Sequence, residues 1–269
     1  MKEEKNEMSF LGHLEELRWH LVRSAVAIFI IGILLFVFQK EVFNHFLLAH
    51  RKSDFITYQI FCDFFNLFGM DSTFCNVAFT DNLISLKPTQ QLMTAIWSSL
   101  ILGIILAFPY LLWELWRFIS PGLTKKEVKS SRGFLFVASF LFFCGIAFSF
   151  YVIAPISIHF LYNYKISDVI QNNFTLESHI GLVTNMLLGV SVLFELPVLV
   201  YFLTKIGLVT PEFLKKYRKH SLVVVLILAA IITPPDVASQ IIVAIPILVL
   251  YEISIKVSRM VIKKQKKDA

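Results

Sequence analysis

Long apolar runs alternate with short polar, basic segments along the whole chain. Six such runs stand out, at Leu21–Phe38, Gln91–Leu112, Gly133–Ile153, His179–Leu203, Leu222–Ile232 and Ile241–Ile253. The first four are long enough to cross a hydrocarbon layer of about 30 Å as helices rising about 1.5 Å per residue. The last two fall short of the required 20 or so residues, and Thr233-Pro234-Pro235-Asp236-Val237-Ala238-Ser239-Gln240 joins them as a hairpin. A short span must thin the bilayer, borrow polar flanks or lean on its neighbours. No period-two alternation of a β-barrel runs through these segments. Backbone polar groups in lipid have to be satisfied within the segment, so the pattern predicts an all-α polytopic membrane protein of six transmembrane helices, the last two short.

Between the runs, the largest extramembrane piece is residues 39–90, rich in Phe and suited to short helices lying on a membrane surface. A second external loop is expected over Pro155–Ser178. Two shorter loops carry proline turns, Ser120-Pro121-Gly122 and Thr210-Pro211-Glu212. Residues 1–20 read as an N-terminal segment with a short amphipathic helix, and residues 256–269 as a basic tail. The whole of 1–269 reads as one membrane domain. Met1–Arg18 mixes charges, and no small-residue cleavage pattern follows the first span, so that span is expected to remain as a helix. No internal repeat of the kind common in secondary transporters is visible.

Composition sharpens this picture. The chain is 57% hydrophobic and 16% charged, with mean hydropathy +0.70, well outside the soluble range. Of its 25 basic residues, all but Lys40, Arg51, Lys52, Lys87 and Lys165 fall in four segments on one side of the predicted membrane. The positive-inside rule then places both termini in the cytoplasm. The net charge of +6 is thereby a topology signal; split among four juxtamembrane segments, it does not suggest nucleic-acid binding. Cys62 and Cys75 share the first external loop, where an oxidising compartment permits a disulfide as a structural staple. Cys144 lies inside the third span and reads as a small buried apolar residue.

The catalytic inventory is nearly empty. There is no phosphate-binding Gly-x-x-x-x-Gly-Lys-Ser/Thr loop, no His-Glu-x-x-His zinc pattern and no Gly-x-Ser-x-Gly elbow. We therefore expect no enzyme activity, no cofactor and no metal. Glu195, in Leu193-Phe194-Glu195-Leu196-Pro197, is the sharpest single residue. An ionisable group at membrane depth costs about 2.5 kcal/mol or more and faces a cavity or a partner, for function or for packing alone. Glu114 and Arg117, flanking Trp113 and Trp116, read as interface charges. Glu16, in an amphipathic stretch with Leu11, Leu14 and Leu17, and Glu127, within Lys125-Lys126-Glu127-Val128-Lys129, are solvated charges unless a basic ligand docks there. Carboxylates pair bidentately with guanidinium groups, a geometry lysine cannot copy.

Four motifs in order resemble those of the TatC family, the multispanning core of the twin-arginine protein translocase. His13-Leu14-Glu15-Glu16-Leu17-Arg18 is similar to the family's N-terminal motif. Trp116-Arg117-Phe118-Ile119-Ser120-Pro121-Gly122-Leu123 through Glu127 is similar to its first cytoplasmic loop. Phe194-Glu195-Leu196-Pro197 and Thr233 to Gln240, followed by Ala244-Ile245-Pro246, complete the set. The resemblance covers nearly the whole chain. It implies that Glu16 and Glu127, shaped by Arg18 and Phe118, read the paired arginines of a signal peptide. It further implies that Glu195 is a polar group inside a concave face, and that Pro234, Pro235, Asp236 and Gln240 lie at the hairpin, where partners dock. The implied partners are TatA- and TatB-type single-span subunits, twin-arginine signal peptides of folded cargo, the lipid bilayer and further copies of the chain. The implied setting is the bacterial inner membrane, with export driven by the proton motive force. The first external loop departs from the family: it is long, carries two cysteines and lacks an early proline. A secondary transporter or channel passing a small solute by Glu195 is the alternative. An intramembrane enzyme would need a nucleophile–base pair or metal cluster at depth, and the chain shows neither.

Overall fold

The computed structural model describes residues 10–68, 75, 83–120, 125–167, 173–233 and 237–268, without the side chains of 10, 11, 13, 125–132, 134, 237, 238 and 266–268. Its helices are α1 (Phe10–Val37), α2 (Gln39–Val42), α3 (Ile56–Leu67), α4 (Gln90–Ile119), α5 (Lys125–Phe148), α6 (Ala154–Asn163), α7 (Leu176–Phe194), α8 (Leu196–Lys205), α9 (Pro211–Lys216), α10 (Arg218–Ile232) and α11 (Val237–Asp268). Among the described residues the sole β-type pairing is an isolated parallel bridge between Ile84 and Thr175, which ties the approaches to α4 and α7 together.

Five stretches are long and apolar enough to cross a membrane: Leu14–Val37, Gln90–Ile119, Leu135–Asn163, Leu176–Lys205 and Ser239–Gln265. The sixth expected span is α10, with 15 residues, a rise of about 22 Å. The structure corrects four boundaries. α1 is continuous from Phe10, so the N-terminal amphipathic stretch is the first part of the first span; neither Gly nor Pro interrupts Leu14–Ile31. The last helix is not short, because Lys256–Lys267 continues it with good helix formers. The fourth run is broken at Glu195, as described below.

The third run extends ten residues past its expected end, through a π-helical turn at Ser149–Ile153 and into α6. The expected external loop therefore begins after Asn163. Pro155 has no N–H to give to Tyr151 O in α register or to Phe150 O in π register. Both carbonyls instead accept bonds from the segment between α2 and α4. His50 Nε2–H donates to Phe150 O at 2.8 Å, and the Thr57 hydroxyl donates to Tyr151 O. The Tyr58 hydroxyl reaches His50 O at 2.9 Å and Pro155 O at 3.3 Å. Phe55 packs in the same cluster, 5.7 Å from the ring of Phe150 and 4.8 Å from that of His50. The loop thus supplies the bonds that proline withholds, and the rod continues.

The core is shared by α4, α5, α7, α10 and α11, through Leu102, Ile105, Phe142, Val183, Met186, Val190, Ala229 and Ile247. Lipid tails are as apolar as leucine, so association rests on close packing and polar links. A Cβ on Gly145 of α5 would lie 2.6 Å from Ser191 Cα of α7, and one on Gly103 of α4 would lie 3.0 Å from Ile28 O of α1. Only glycine permits either approach. Polar links run from Ser157 to Ser239 at 2.6 Å, Thr204 to Ser258 at 2.8 Å and Tyr251 to Leu214 O at 2.8 Å. α1 packs along α4 and is otherwise open: 6% of its apolar window is buried, against 33–44% for the other four spans.

Candidate functional site

The face of α1 turned to α4 follows helical spacing: Glu16, Leu17, His20, Ser24 and Gly32 are half-buried or buried, while Glu15, Arg18, Trp19 and Val22 are exposed. His20, one turn beyond Glu16, hydrogen-bonds Glu114 of α4 through Nδ1. Its ring also meets the edge of Phe118, with centroids 6.1 Å apart. Glu114 is 1% exposed, against the sequence expectation of an interface charge. Trp113 and Leu115 occupy the open side of α4, which turns Glu114 inward to α1. There the Tyr110 hydroxyl donates to its carboxylate at 2.9 Å and Arg117 Nη1 at 3.4 Å, with Arg23 Nη1 at 3.8 Å. Arg117 also lies over the Trp113 ring, 4.9 Å from its centroid. A buried carboxylate is tolerable only with such partners.

Of the four residues expected to read a signal peptide, the structure brings Glu16 and Phe118 to the same α1–α4 seam. Arg18 points away, its guanidinium over the Trp19 ring at 5.6 Å. Glu127 falls in the first turn of α5, and its side chain lies outside the described residues. His20 and Glu114 are the members that sequence reasoning missed. Tyr110, Glu114 and Arg117 recur at i, i+4 and i+7, a one-face pattern that marks them as a group, although it does not name the helix they face.

Glu195 sits between α7 and α8 rather than inside one helix. Its N–H bonds to Val192 O at 3.1 Å, a tightened last turn, and Pro197 takes the second position of α8. Proline cannot bond back to Leu193 O, which breaks the run. Both carboxyl oxygens of Glu195 are buried without a hydrogen-bond partner among the described residues. At the hairpin, Gln240 Nε2 donates to Leu226 O at 3.0 Å and clamps α11 to α10. Pro234, Pro235 and Asp236 lie outside the described residues. Between α2 and α4 the structure joins Cys62 to Cys75 by a disulfide.

The sequence family described as "Sec-independent protein translocase protein (TatC)" matches residues 12–246. The chain belongs to the TatC family. It is 40% identical over 268 residues to a TatC protein of a Blattabacterium from Periplaneta americana, covering 98% of this chain and all of that one. It is 38% identical over 249 residues to TatC of Helicobacter pylori J99, covering 93% of this chain and 88% of the relative. Two solved structures share its fold. One, described as the twin arginine translocase receptor TatC, has TM-score 0.67 at 30% identity over 93% of this chain and 99% of that one. The same receptor in the detergent DDM has TM-score 0.70 at 32% identity over 90% and 97%. This TatC-family chain is therefore a multi-pass component of a protein translocase.

Proposed function

We propose that this chain is the receptor of its translocase: it recognises twin-arginine signal peptides and, with TatA- and TatB-type single-span partners, exports folded proteins across the bacterial inner membrane on the proton motive force. The observation that carries the reading is the seam between α1 and α4, where the ring of Phe118 meets His20, one helical turn beyond the half-buried Glu16. A carboxylate at the edge of a helix pair, one turn from a packed aromatic ring, suits a guanidinium group, which bonds in a plane and stacks. Glu114 supports this by balancing Arg23 and Arg117, two cations that would otherwise repel an arginine pair. Glu127, from the next helix, would complete the site, with Arg18 at its rim. Six spans with both termini cytoplasmic fit the distribution of basic residues, α10 being the short span that draws the two membrane surfaces together. Glu195 offers a polar foothold at depth, and Pro234 to Gln240 a contact for single-span partners.

The test is site-specific crosslinking in native membranes from positions beside Glu16 and Glu127 to a signal peptide carrying Arg-Arg or Lys-Lys. Strong labelling that is lost with Lys-Lys, and lost on Glu16→Lys or Glu127→Lys, is expected. Equal labelling by both peptides, untouched by either substitution, would refute the receptor reading.

A further inference from the structure

Helix α3 carries an apolar edge that stays exposed among the described residues. At about 100° per residue, its side chains sort into three sectors. Thr57 and Tyr58 are buried against the π-helical turn and α6, with Phe61 and Phe65 half-buried on the same side. Gln59, Asp63 and Asn66 are exposed on the opposite side. Between these sectors Ile56, Ile60, Phe64 and Leu67 form one stripe, 53%, 59%, 53% and 81% exposed. A helix with one edge on protein, one polar and one apolar is built for three surroundings at once.

The third surrounding follows from depth. Thr57 and Tyr58 bond to the carbonyls of Tyr151 and Pro155. The span containing those carbonyls starts at Leu135, so they lie 16 and 20 residues along it. At about 1.5 Å per residue that is roughly 24 and 30 Å, the far boundary of a hydrocarbon layer about 30 Å thick. The cap bonds therefore hold α3 level with the edge of the leaflet opposite the α1 start. We propose that α3 lies in that interface, with Ile56, Ile60, Phe64 and Leu67 immersed among acyl chains and Gln59, Asp63 and Asn66 turned to water. The helix holds Asp63 and no Lys or Arg, so apolar burial, not attraction to anionic headgroups, seats it. α3 thereby ties the external cap to the bilayer as well as to α5 and α6, whatever signal the other end of the bundle reads.

The experiment uses the full chain with Cys144→Ser and the Cys62–Cys75 disulfide kept. Nitroxide labels are placed one at a time through Gln59→Cys, Ile60→Cys, Phe64→Cys and Asn66→Cys. The protein is reconstituted in phosphatidylcholine vesicles with and without phosphatidylglycerol, and collision with oxygen is compared with collision with a water-soluble nickel chelate. At 60 and 64, oxygen access should exceed nickel access several-fold; at 59 and 66 the order should reverse, and neither phosphatidylglycerol nor high salt should change it. Greater nickel access at 60 and 64 would put the stripe in water and overturn the proposal. Low access to both reagents with spin–spin broadening would mean that a second copy covers the stripe, which also overturns it. Loss of lipid contact without phosphatidylglycerol would refute seating by apolar burial. Should labelled variants fail to fold, Phe64→Trp quenched by brominated lipid reads the same contact, with an unquenched indole counting against lipid immersion.

Discussion

Acid should loosen the cap that the segment between α2 and α4 forms on α5 and α6, and His50 should carry part of that effect. His50 is completely buried, and its Nε2–H is committed to the Phe150 carbonyl, an acceptor only. Nδ1 is consequently the bare nitrogen, buried without a partner among the described residues. A proton there would be a buried charge with nothing to receive it. Burial pushes the imidazole down from 6.5 to about 4, the Phe150 bond pulling weakly the other way. Between those values the unfolded chain binds a proton that the folded one refuses, so stability falls as pH falls. The contribution is intact above pH 6.5. At pH 5 an unfolded histidine is nearly all protonated and His50 nearly all neutral, which removes about 2 kcal/mol; once both states are protonated, below pH 4, the loss reaches about 3 kcal/mol. The assay is equilibrium unfolding of the detergent-solubilised protein between pH 7.5 and 5, beside His50→Gln. The glutamine amide can still donate to Phe150 O but cannot titrate. The parent should lose about 2 kcal/mol more than the variant over that range. Parallel curves would refute the account.

Two further outcomes follow from the bundle. Glu114→Ala strands His20 and Tyr110 and leaves Arg23 and Arg117 unbalanced; a loss of about 2 kcal/mol is expected, and a His20/Glu114 double-mutant cycle should show coupling well above about 0.5 kcal/mol, additivity counting against the buried cluster. Gly145→Leu drives a side chain into Ser191 Cα and should cost about 1–3 kcal/mol or more by thermal unfolding, whereas Gly181→Ala, with open space around it, should hold or gain up to about 1 kcal/mol; equal melting of the two would show that α5 and α7 do not pack as described.

The parts of this molecule that were legible in its sequence are those decided locally. An uninterrupted apolar run over Gln91–Leu112 reports a helix in lipid because no other backbone arrangement is satisfied there. Pro197 announced a weakness beside Glu195, though not a full break. What escaped depends on neighbours distant in the chain. Pro155 ordinarily ends a helix; here it does not, because His50 and Thr57, about a hundred residues earlier, bond the carbonyls it leaves free. Whether Glu114 meets water or protein depends on which side of α4 receives α1, and that pairing brings in partners far along the chain, such as Ile28 against Gly103, as well as Trp113 and Leu115 beside Glu114. Glu16 stood in the sequence as a charge awaiting a basic ligand and Phe118 was nameable through resemblance; that Phe118 packs on His20, one turn from Glu16, is a tertiary fact.

The π-helical turn also bears on how the protein is made. Synthesis runs from the N-terminus, so the loop that holds His50, Thr57 and Tyr58 has emerged well before Phe150, Tyr151 and Pro155 are joined to the chain. The donors are made first, and the carbonyls they bond arrive later. Until the third span has crossed, the cap has no seat; once it has, its two free carbonyls meet ready partners. The carbonyls beside the proline thus find their donors in a segment made about a hundred residues earlier.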